Sequence, residues 1–260
     1  MLQITEKQLN TIRNLAYQKY GLYIGPDKVS RLLPKLDRFI SKEEYSGADD
    51  LCDHLAAEDR VCLEKFISYI TTCHTFFYRE PEHFRELAAD IHHSSQPSYT
   101  IWCAASSTGE EPYSIAMTLI DEKIRNFHIV ASDLNRDVLA EFNRGVYHES
   151  RLAQMPVDVK HRYFTPSGDD FYTINNSLRR FISIKNINLM DPVRFPKPFD
   201  YVFCRNVFIY FDEQSRSQAI STITANLKVG GSLFIGHAEV LLQQPENLKK
   251  IGSSIYRRMY

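Results

Sequence analysis

The stretch TIWCAASSTGEEPYS, residues 100–114, decides how the rest of the chain is read. An apolar run suited to a buried strand passes through a turn of small residues and opens a helix on Glu110 and Glu111. A strand that ends in such a turn ordinarily cradles a phosphate, because the helix N-terminus offers unpaired N–H groups and a partial positive charge. Paired carboxylates at that spot repel a pyrophosphate and suit a cationic ligand, such as the ammonium or sulfonium of S-adenosylmethionine. Acidic residues in a first helical turn also simply complement the helix dipole, so the stretch alone leaves both readings open.

Working outward, apolar runs alternate with helical periodicity from residue 99 onward. Strands are expected over 100–104, 127–132, 199–204 and 232–236, and helices over 111–122, 135–143 and 212–227. That rhythm is α/β, a doubly wound parallel sheet, whose ligands sit beyond the carboxyl ends of the strands. The residues at those ends are 106–110, Asp133, Asn188, Arg205 and Asn206. Asp133 follows Gly109 by 24 residues, a spacing at which a carboxylate accepts ribose hydroxyls, and it also suits a helix N-cap. The turn SSTGEE has a single glycine where a dinucleotide fingerprint needs three, which argues against a nicotinamide or flavin cofactor. Residues 227–235, LKVGGSLFI, read as a helix stopped by paired glycines before a strand. Over 145–186 the rhythm breaks around Pro166, Ser167, Gly168 and Asp169, which predicts a small antiparallel insertion.

The first seventy or so residues read as helices. Leu9, Ile12, Leu15 and Ala16 recur at helical spacing, Gly21 is a stop, and a second helix follows Pro26, with Pro34 expected to kink or interrupt it. Further helices fit 48–57 and 61–70. Lys28, Arg31, Lys35 and Arg38 fall on one face of the second helix, as a solvated stripe or a partner surface. The expected organisation is a helical domain over 1–72, a linker over 73–97, and a sheet domain over 98–260 with its β-insertion at about 146–186. A formal charge of −1 on 260 residues argues against a nucleic-acid binder. MLQITEKQLN has no signal-peptide character and no run approaches the about 18–20 apolar residues that span a bilayer, so no membrane insertion and a cytoplasmic location are expected. The five cysteines are widely spaced, without a CxxC pair, and no histidine pair has ligand spacing on a site helix, so neither disulfides nor a metal are expected.

Several segments together carry a family resemblance: TTCHTFFYREPEHF (71–84), AASSTGEEPYSIA (104–116), ASDLN (131–135), CRNVFIYF (204–211) and GHAE (236–239). The chain resembles the chemotaxis-receptor glutamate methyltransferases of the CheR type over essentially its whole length. The resemblance implies a Rossmann-like class I methyltransferase sheet with an all-helical N-terminal domain and a small antiparallel β-subdomain. It also implies S-adenosylmethionine as donor, S-adenosylhomocysteine as product, and a glutamate of a chemoreceptor's cytoplasmic helices as acceptor. Cofactor contacts fall, by resemblance, on Thr75, Arg79, Ala104, Glu110, Asp133, Asn188, Leu189, Arg205 and Asn206. Arg79 and Tyr210 fall at the methyl-transfer centre, and the helical domain bearing Lys28, Arg31, Lys35 and Arg38 faces the receptor. Glu110 suits the donor's ammonium and Asp133 its ribose diol.

The implied chemistry needs little apparatus. A glutamate with a pKa of about 4.3 is already ionised at neutral pH, so no general base or metal is called for. Alignment of carboxylate oxygen, methyl carbon and sulfur supplies the rate, a contribution that reaches about 7–11 kcal/mol in favourable cases. The chain departs from the family pattern at Cys73, which replaces an Asn, and at Tyr78, which replaces a Phe. Loss of the Asn removes a hydrogen bond worth about 0.5–1.5 kcal/mol, which keeps open a non-catalytic module that binds the donor or its product. Some family members also bind the receptor's C-terminal pentapeptide on an edge of the β-subdomain. Here the short turn TPSGDDFYTINNS and the charges of Asp169 and Asp170 weigh against such a tether. A monomer is expected.

Overall fold

The computed structural model describes residues 4–71, 74–94, 96–241 and 244–260. Helices α1 (Glu6–Tyr20), α2 (Pro26–Lys42), α3 (Ala48–Ala56) and α4 (Arg60–Ile70) open the chain. α1 starts on a capping box in which the side chains of Thr5 and Gln8 each accept the other's backbone N–H. It stops at Gly21, whose left-handed backbone (φ 67°) turns its N–H onto the carbonyls of Ala16 and Tyr17. α2 begins on Pro26 and runs unbroken through Pro34, so the expected interruption does not occur. Pro34 lies on the exposed side, while Leu32, Leu36, Phe39 and Ile40 anchor both halves in a core shared with Ile12, Leu51, Leu55 and Phe66. The backbone bond that Pro34 forfeits leaves the carbonyl of exposed Ser30 facing water, where it costs little.

The chain then forms α5 (Glu82–His93), β1 (Tyr99–Cys103), α6 (Glu110–Asp121), β2 (Phe127–Asp133) and α7 (Arg136–Arg144). A second stretch holds β3 (Val146–His148), α8 (Val157–Tyr163), β4 (Phe164–Pro166), β5 (Phe171–Ile174) and α9 (Asn176–Arg179). The last comprises β6 (Ile182–Asn186), β7 (Phe199–Cys204), α10 (Glu213–Ala225), β8 (Leu227–Ile235), β9 (Leu248–Gly252) and β10 (Ile255–Arg258). Seven strands make one sheet in the order β6-β2-β1-β7-β8-β10-β9, parallel from β6 through β8, with β10 and β9 antiparallel at one end. The central strands are buried on both faces, as parallel strands require. Ile101, Cys103, Ile129, Ala131, Tyr201 and Phe203 face a core closed by α5 and α6, through Phe84, Leu87, Ile115 and Leu119. Trp102, Ala104, Val130, Val202 and Cys204 face the other core, closed by Ala219, Ile220 and Ile223 of α10 together with Ala16, Leu22 and Ile67 of the helical region.

Three further expectations are corrected. Residues 227–235 form the single strand β8, because α10 already ends at Ala225; Gly230 (φ 82°) and Gly231 lie where the β7–β8 register slips. A Cβ on Gly231 would approach the Asp200 carbonyl to 2.7 Å, so the close strand contact requires glycine. The antiparallel sheet is β3-β5-β4, and β6 joins the large sheet beside β2, so the insertion ends before β6. The segment 73–97 is no mere linker, since α5 buries Phe84, Leu87, Ala88 and Ile91 in the sheet's core.

Candidate active site

The chain crosses from β1, β2 and β6 on one side to β7 and β8 on the other, and the strand order reverses beside β1. A ligand crevice forms at such a reversal, outside the strand carboxyl ends. There lies a cavity of about 330 Å³. Its floor is the turn after β1. The Ser106 N–H donates to the Ser132 carbonyl at 2.8 Å, and Ser107, left-handed at φ 48°, donates its N–H to Asp133 Oδ2 at 2.8 Å. Gly109 (φ 96°) starts α6 so close to Phe142 that a Cβ would come within 2.2 Å of the ring. Asp133 also accepts the Asn135 N–H at 2.9 Å. Burial pushes its carboxyl above the usual range, against the pull of those backbone donors.

The paired glutamates divide. Glu111 lines the cavity and accepts from Arg205 Nη1 at 2.9 Å, whereas Glu110 is fully buried and is not among the lining residues. The carboxylate of Glu110 accepts from Thr108 Oγ1 at 2.7 Å and from Arg151 Nη1 at 3.0 Å. Arg151 Nη1 also donates to the Thr75 carbonyl at 2.6 Å, and the Phe77 N–H returns to the Arg151 carbonyl at 3.2 Å. Through Arg151, Glu110 is tied to the 74–80 strap that carries Thr75 and Arg79. Burial raises both glutamate carboxyls, countered mainly by Thr108 at Glu110 and by Arg205 at Glu111.

Arg205, with a side chain only 2% exposed, is the hub of this wall. Its Nη2 donates to Glu80 Oε2 at 2.9 Å and to the Arg79 carbonyl, and its guanidinium lies 5.4 Å from the Phe84 ring. Burial opposes ionisation of Glu80, but the charge and hydrogen bonds of Arg205 prevail and hold its carboxyl below the usual range. His83 is buried beside it, and burial followed by Arg205 pushes its ring down to about 4. On the far side, Glu239 accepts the N–H groups of Asn206 (2.8 Å), Phe208 (2.8 Å) and Gly236 (2.7 Å). Those bonds fix the left-handed Asn206 (φ 60°) and the short 3-10 turn Phe208–Tyr210.

Thr75, Arg79, Ala104, Asp133, Asn188, Leu189, Arg205, Asn206 and Tyr210 all line the cavity. Arg79 donates from Nη1 to the His74 carbonyl at 2.6 Å. Asn188 is committed to the fold, donating to the Lys19 carbonyl at 2.8 Å and accepting the Met190 N–H at 3.1 Å. Cys73 lies outside the described residues. Tyr78, the other departure, is half-buried with its ring 6.1 Å from Phe84. Tyr20 and Leu22 of the helical region also line the cavity, which the sequence reading missed. The Tyr23 N–H donates to the Tyr210 carbonyl at 2.8 Å, and Leu22 bridges to Phe211.

The cationic stripe is split as well. Lys28 Nζ donates to the Ile209 carbonyl at 3.1 Å and Lys35 Nζ to the Ile70 carbonyl at 2.8 Å, while Arg31 and Arg38 are exposed. The missed residues Glu80 and Glu239 sit in the quoted segments 71–84 and 236–239, but nothing local in those segments points to their partners.

The donor set fits S-adenosylmethionine. Asp133 stands at the β2 carboxyl end for hydroxyls, Ser106 and Ser107 hold buried hydroxyls without protein partners, and apolar Leu134, Leu189 and Phe211 offer surface to a flat base. Sheet, crevice and donors define a class I S-adenosylmethionine-dependent methyltransferase. The family description "CheR methyltransferase, SAM binding domain" matches residues 73–257. The chain is 31% identical to the chemotaxis protein methyltransferase of Borreliella burgdorferi over 99% of this chain and 96% of that one. It is 32% identical to that of Klebsiella aerogenes, covering 98% and 90% respectively. It is 30% identical to that of Escherichia coli, covering 98% and 94%. Among solved structures, the glycopeptide N-methyltransferase MtfA complexed with S-adenosyl-L-methionine aligns at 19% identity and a TM-score of 0.37, over 73% of this chain and 71% of that chain. The chain belongs to the CheR methyltransferase family.

Proposed function

We propose that the chain transfers the methyl group of S-adenosylmethionine to glutamate side chains of a chemoreceptor's cytoplasmic domain, as a cytoplasmic protein-glutamate O-methyltransferase. The supporting observation is that Arg79 and Tyr210 stand on the wall of the same crevice whose floor carries Asp133. The names of the relatives supply the chemotactic setting. When bound, the donor supplies a methyl carbon activated by its sulfonium. Asp133 holds hydroxyls at the end of β2, and the turn 104–109 orients the bound molecule. Arg79 keeps further N–H donors beyond the one given to His74, in a fork suited to the acceptor carboxylate. Tyr210, on a turn pinned by Glu239 and by the Tyr23 N–H, shapes the approach to the methyl carbon. No proton has to move, since the acceptor is already ionised. Arg31 and Arg38 meet an acidic receptor surface, and recognition proceeds without a C-terminal receptor tether.

The reading is tested by incubating the chain with methyl-labelled donor and receptor cytoplasmic fragments. Incorporation is expected as a base-labile ester that releases methanol and disappears when the acceptor glutamates are replaced by alanine. Intact donor binding without incorporation would make the chain a non-catalytic module, and a base-stable label would point to another acceptor.

A further inference from the structure

Behind the Arg205 wall, away from the methyl-transfer crevice, three side chains converge from distant parts of the sequence. Glu80 precedes α5, His83 lies in its first turn, and His237 follows β8. One ligand-capable atom of each lies within 4.8 Å of the others. The ring of His83 is 1% exposed, and its Nε2 lies 3.2 Å from the Ser253 carbonyl. A carbonyl only accepts, so Nε2 carries the proton and the Nδ1 lone pair is turned inward. There Nδ1 is buried without a hydrogen-bond partner and faces Glu80 Oε2 at 3.7 Å. Glu80 Oε2 accepts from Arg205 Nη2 at 2.9 Å and from the His237 N–H at 3.2 Å, so the Nδ1 lone pair is the unsatisfied group of the cluster and is aimed toward a carboxylate. The His237 ring closes the third side, 4.6 Å from that of His83 between centroids.

We propose that Glu80, His83 and His237 form a binding site for a divalent transition ion of the zinc class, separate from the methyl-transfer chemistry. Two imidazoles and one carboxylate, with a position left for water, are a recognised three-ligand set for zinc, whereas magnesium and calcium require oxygen donors throughout. The bond from His83 Nε2 to a backbone carbonyl is the outer-shell contact that orients a metal-bound imidazole. Tetrahedral zinc with ligands at about 2.0–2.1 Å sets its donors roughly 3.4 Å apart. Glu80 and His83 are already near that spacing, and exposed His237 supplies the remaining movement. Arg205 pairs with Glu80 and with Glu111 at 2.9 Å each, so one guanidinium stands against two carboxylates and net negative charge remains for a cation. An ion here would fasten the start of α5 to the loop after β8.

The test is titration of the reduced full chain with zinc by calorimetry, and with cobalt by absorption. One equivalent of zinc is expected with micromolar or tighter affinity, and cobalt should give d–d bands without a thiolate charge-transfer band. His237→Ala, on an exposed side chain, should weaken zinc at least tenfold. His83→Asn should do the same where circular dichroism confirms its fold. In the wild-type chain the imidazole nitrogen resonances of His83 and His237 should move on adding zinc. Absence of stoichiometric binding, affinity within twofold in His237→Ala, or a thiolate charge-transfer band would overturn the assignment.

Discussion

Replacing Arg205 by alanine separates a residue that holds the fold from one that touches the donor. The side chains of Arg205, Glu80 and Glu111 are 2%, 15% and 14% exposed. The substitution therefore strands two carboxylates with little access to water. Removing one partner of a buried ion pair costs about 3–5 kcal/mol. For a chain of this size each kcal/mol moves Tm by about 2–4 °C, so a fall of roughly 6–20 °C is expected. The pH dependence follows from the carboxylates. In the wild type, Arg205 holds Glu80 below its usual pKa, a contribution present at neutral pH and lost only as the pH falls through that lowered value. In the variant burial acts without Arg205, and both folded-state pKa values rise above the unfolded one. The penalty is then full above the raised folded-state pKa values and shrinks as the groups protonate on acidification toward the unfolded value of about 4.3. Thermal unfolding by circular dichroism at pH 8 and pH 5, without donor, measures both effects. A Tm within about 2 °C of wild type at pH 8, with only donor affinity reduced, would refute this reasoning and make Arg205 a ligand contact.

The remaining predictions concern ligand, chemistry and encounter. Asp133→Ala should weaken S-adenosylmethionine by at least about tenfold, roughly 1.4 kcal/mol, in calorimetry with an unchanged circular dichroism spectrum; wild-type affinity would dismiss Asp133 as a contact. Arg79→Ala and Tyr210→Phe should lower kcat on receptor glutamate at saturating donor in single-turnover assays, because a group that positions the acceptor acts in the transition state. A rise in donor KM alone would reassign Arg79 to the donor. Charge reversal of Arg31 and Arg38 to glutamate should slow receptor methylation and flatten its salt dependence without changing donor affinity, and unaltered low-salt kinetics would leave the pair a solvated face. Receptor C-terminal pentapeptides should bind no tighter than about millimolar, and micromolar binding in calorimetry would restore the tether.

The legible parts of this molecule are those fixed by local rules. Apolar runs that alternate between two buried faces marked β1, β2 and β7 to within a residue or so, and the strand-end rule brought Asp133, Arg205 and Asn206 to one crevice. What the sequence left open is set by partners distant along the chain. Glu110 and Glu111 are neighbours in a helical first turn and diverge by about 100° around its axis. Glu111 turns to the cavity and Arg205, whereas Glu110 pairs with Arg151, 41 residues further on in the insertion. Lys28 and Lys35 share a face with Arg31 and Arg38, but carbonyls at Ile209 and Ile70 engage them. The LKVGG run was misread because glycines that stop a helix also permit two strands to approach closely, and only the Asp200 carbonyl distinguishes the cases.

The cavity shows most clearly why a division into independent domains misleads. The turn bearing Tyr210 is held from one side by Glu239, through the N–H of Phe208, and from the other by the N–H of Tyr23 and the ammonium of Lys28. Leu22 adds a bridge to Phe211, and Tyr20 and Leu22 furnish part of the wall. A segment held from both sides has little freedom to move when a ligand enters, so its ordering is met largely during folding rather than on binding. The helical region is therefore part of the crevice itself. By closing against the loop after β7 it holds the turn that bears Tyr210, through the N–H of Tyr23 and the ammonium of Lys28. A short chain of hydrogen bonds thus runs from the helical region to the wall of the crevice, so the crevice is built by both parts of the chain.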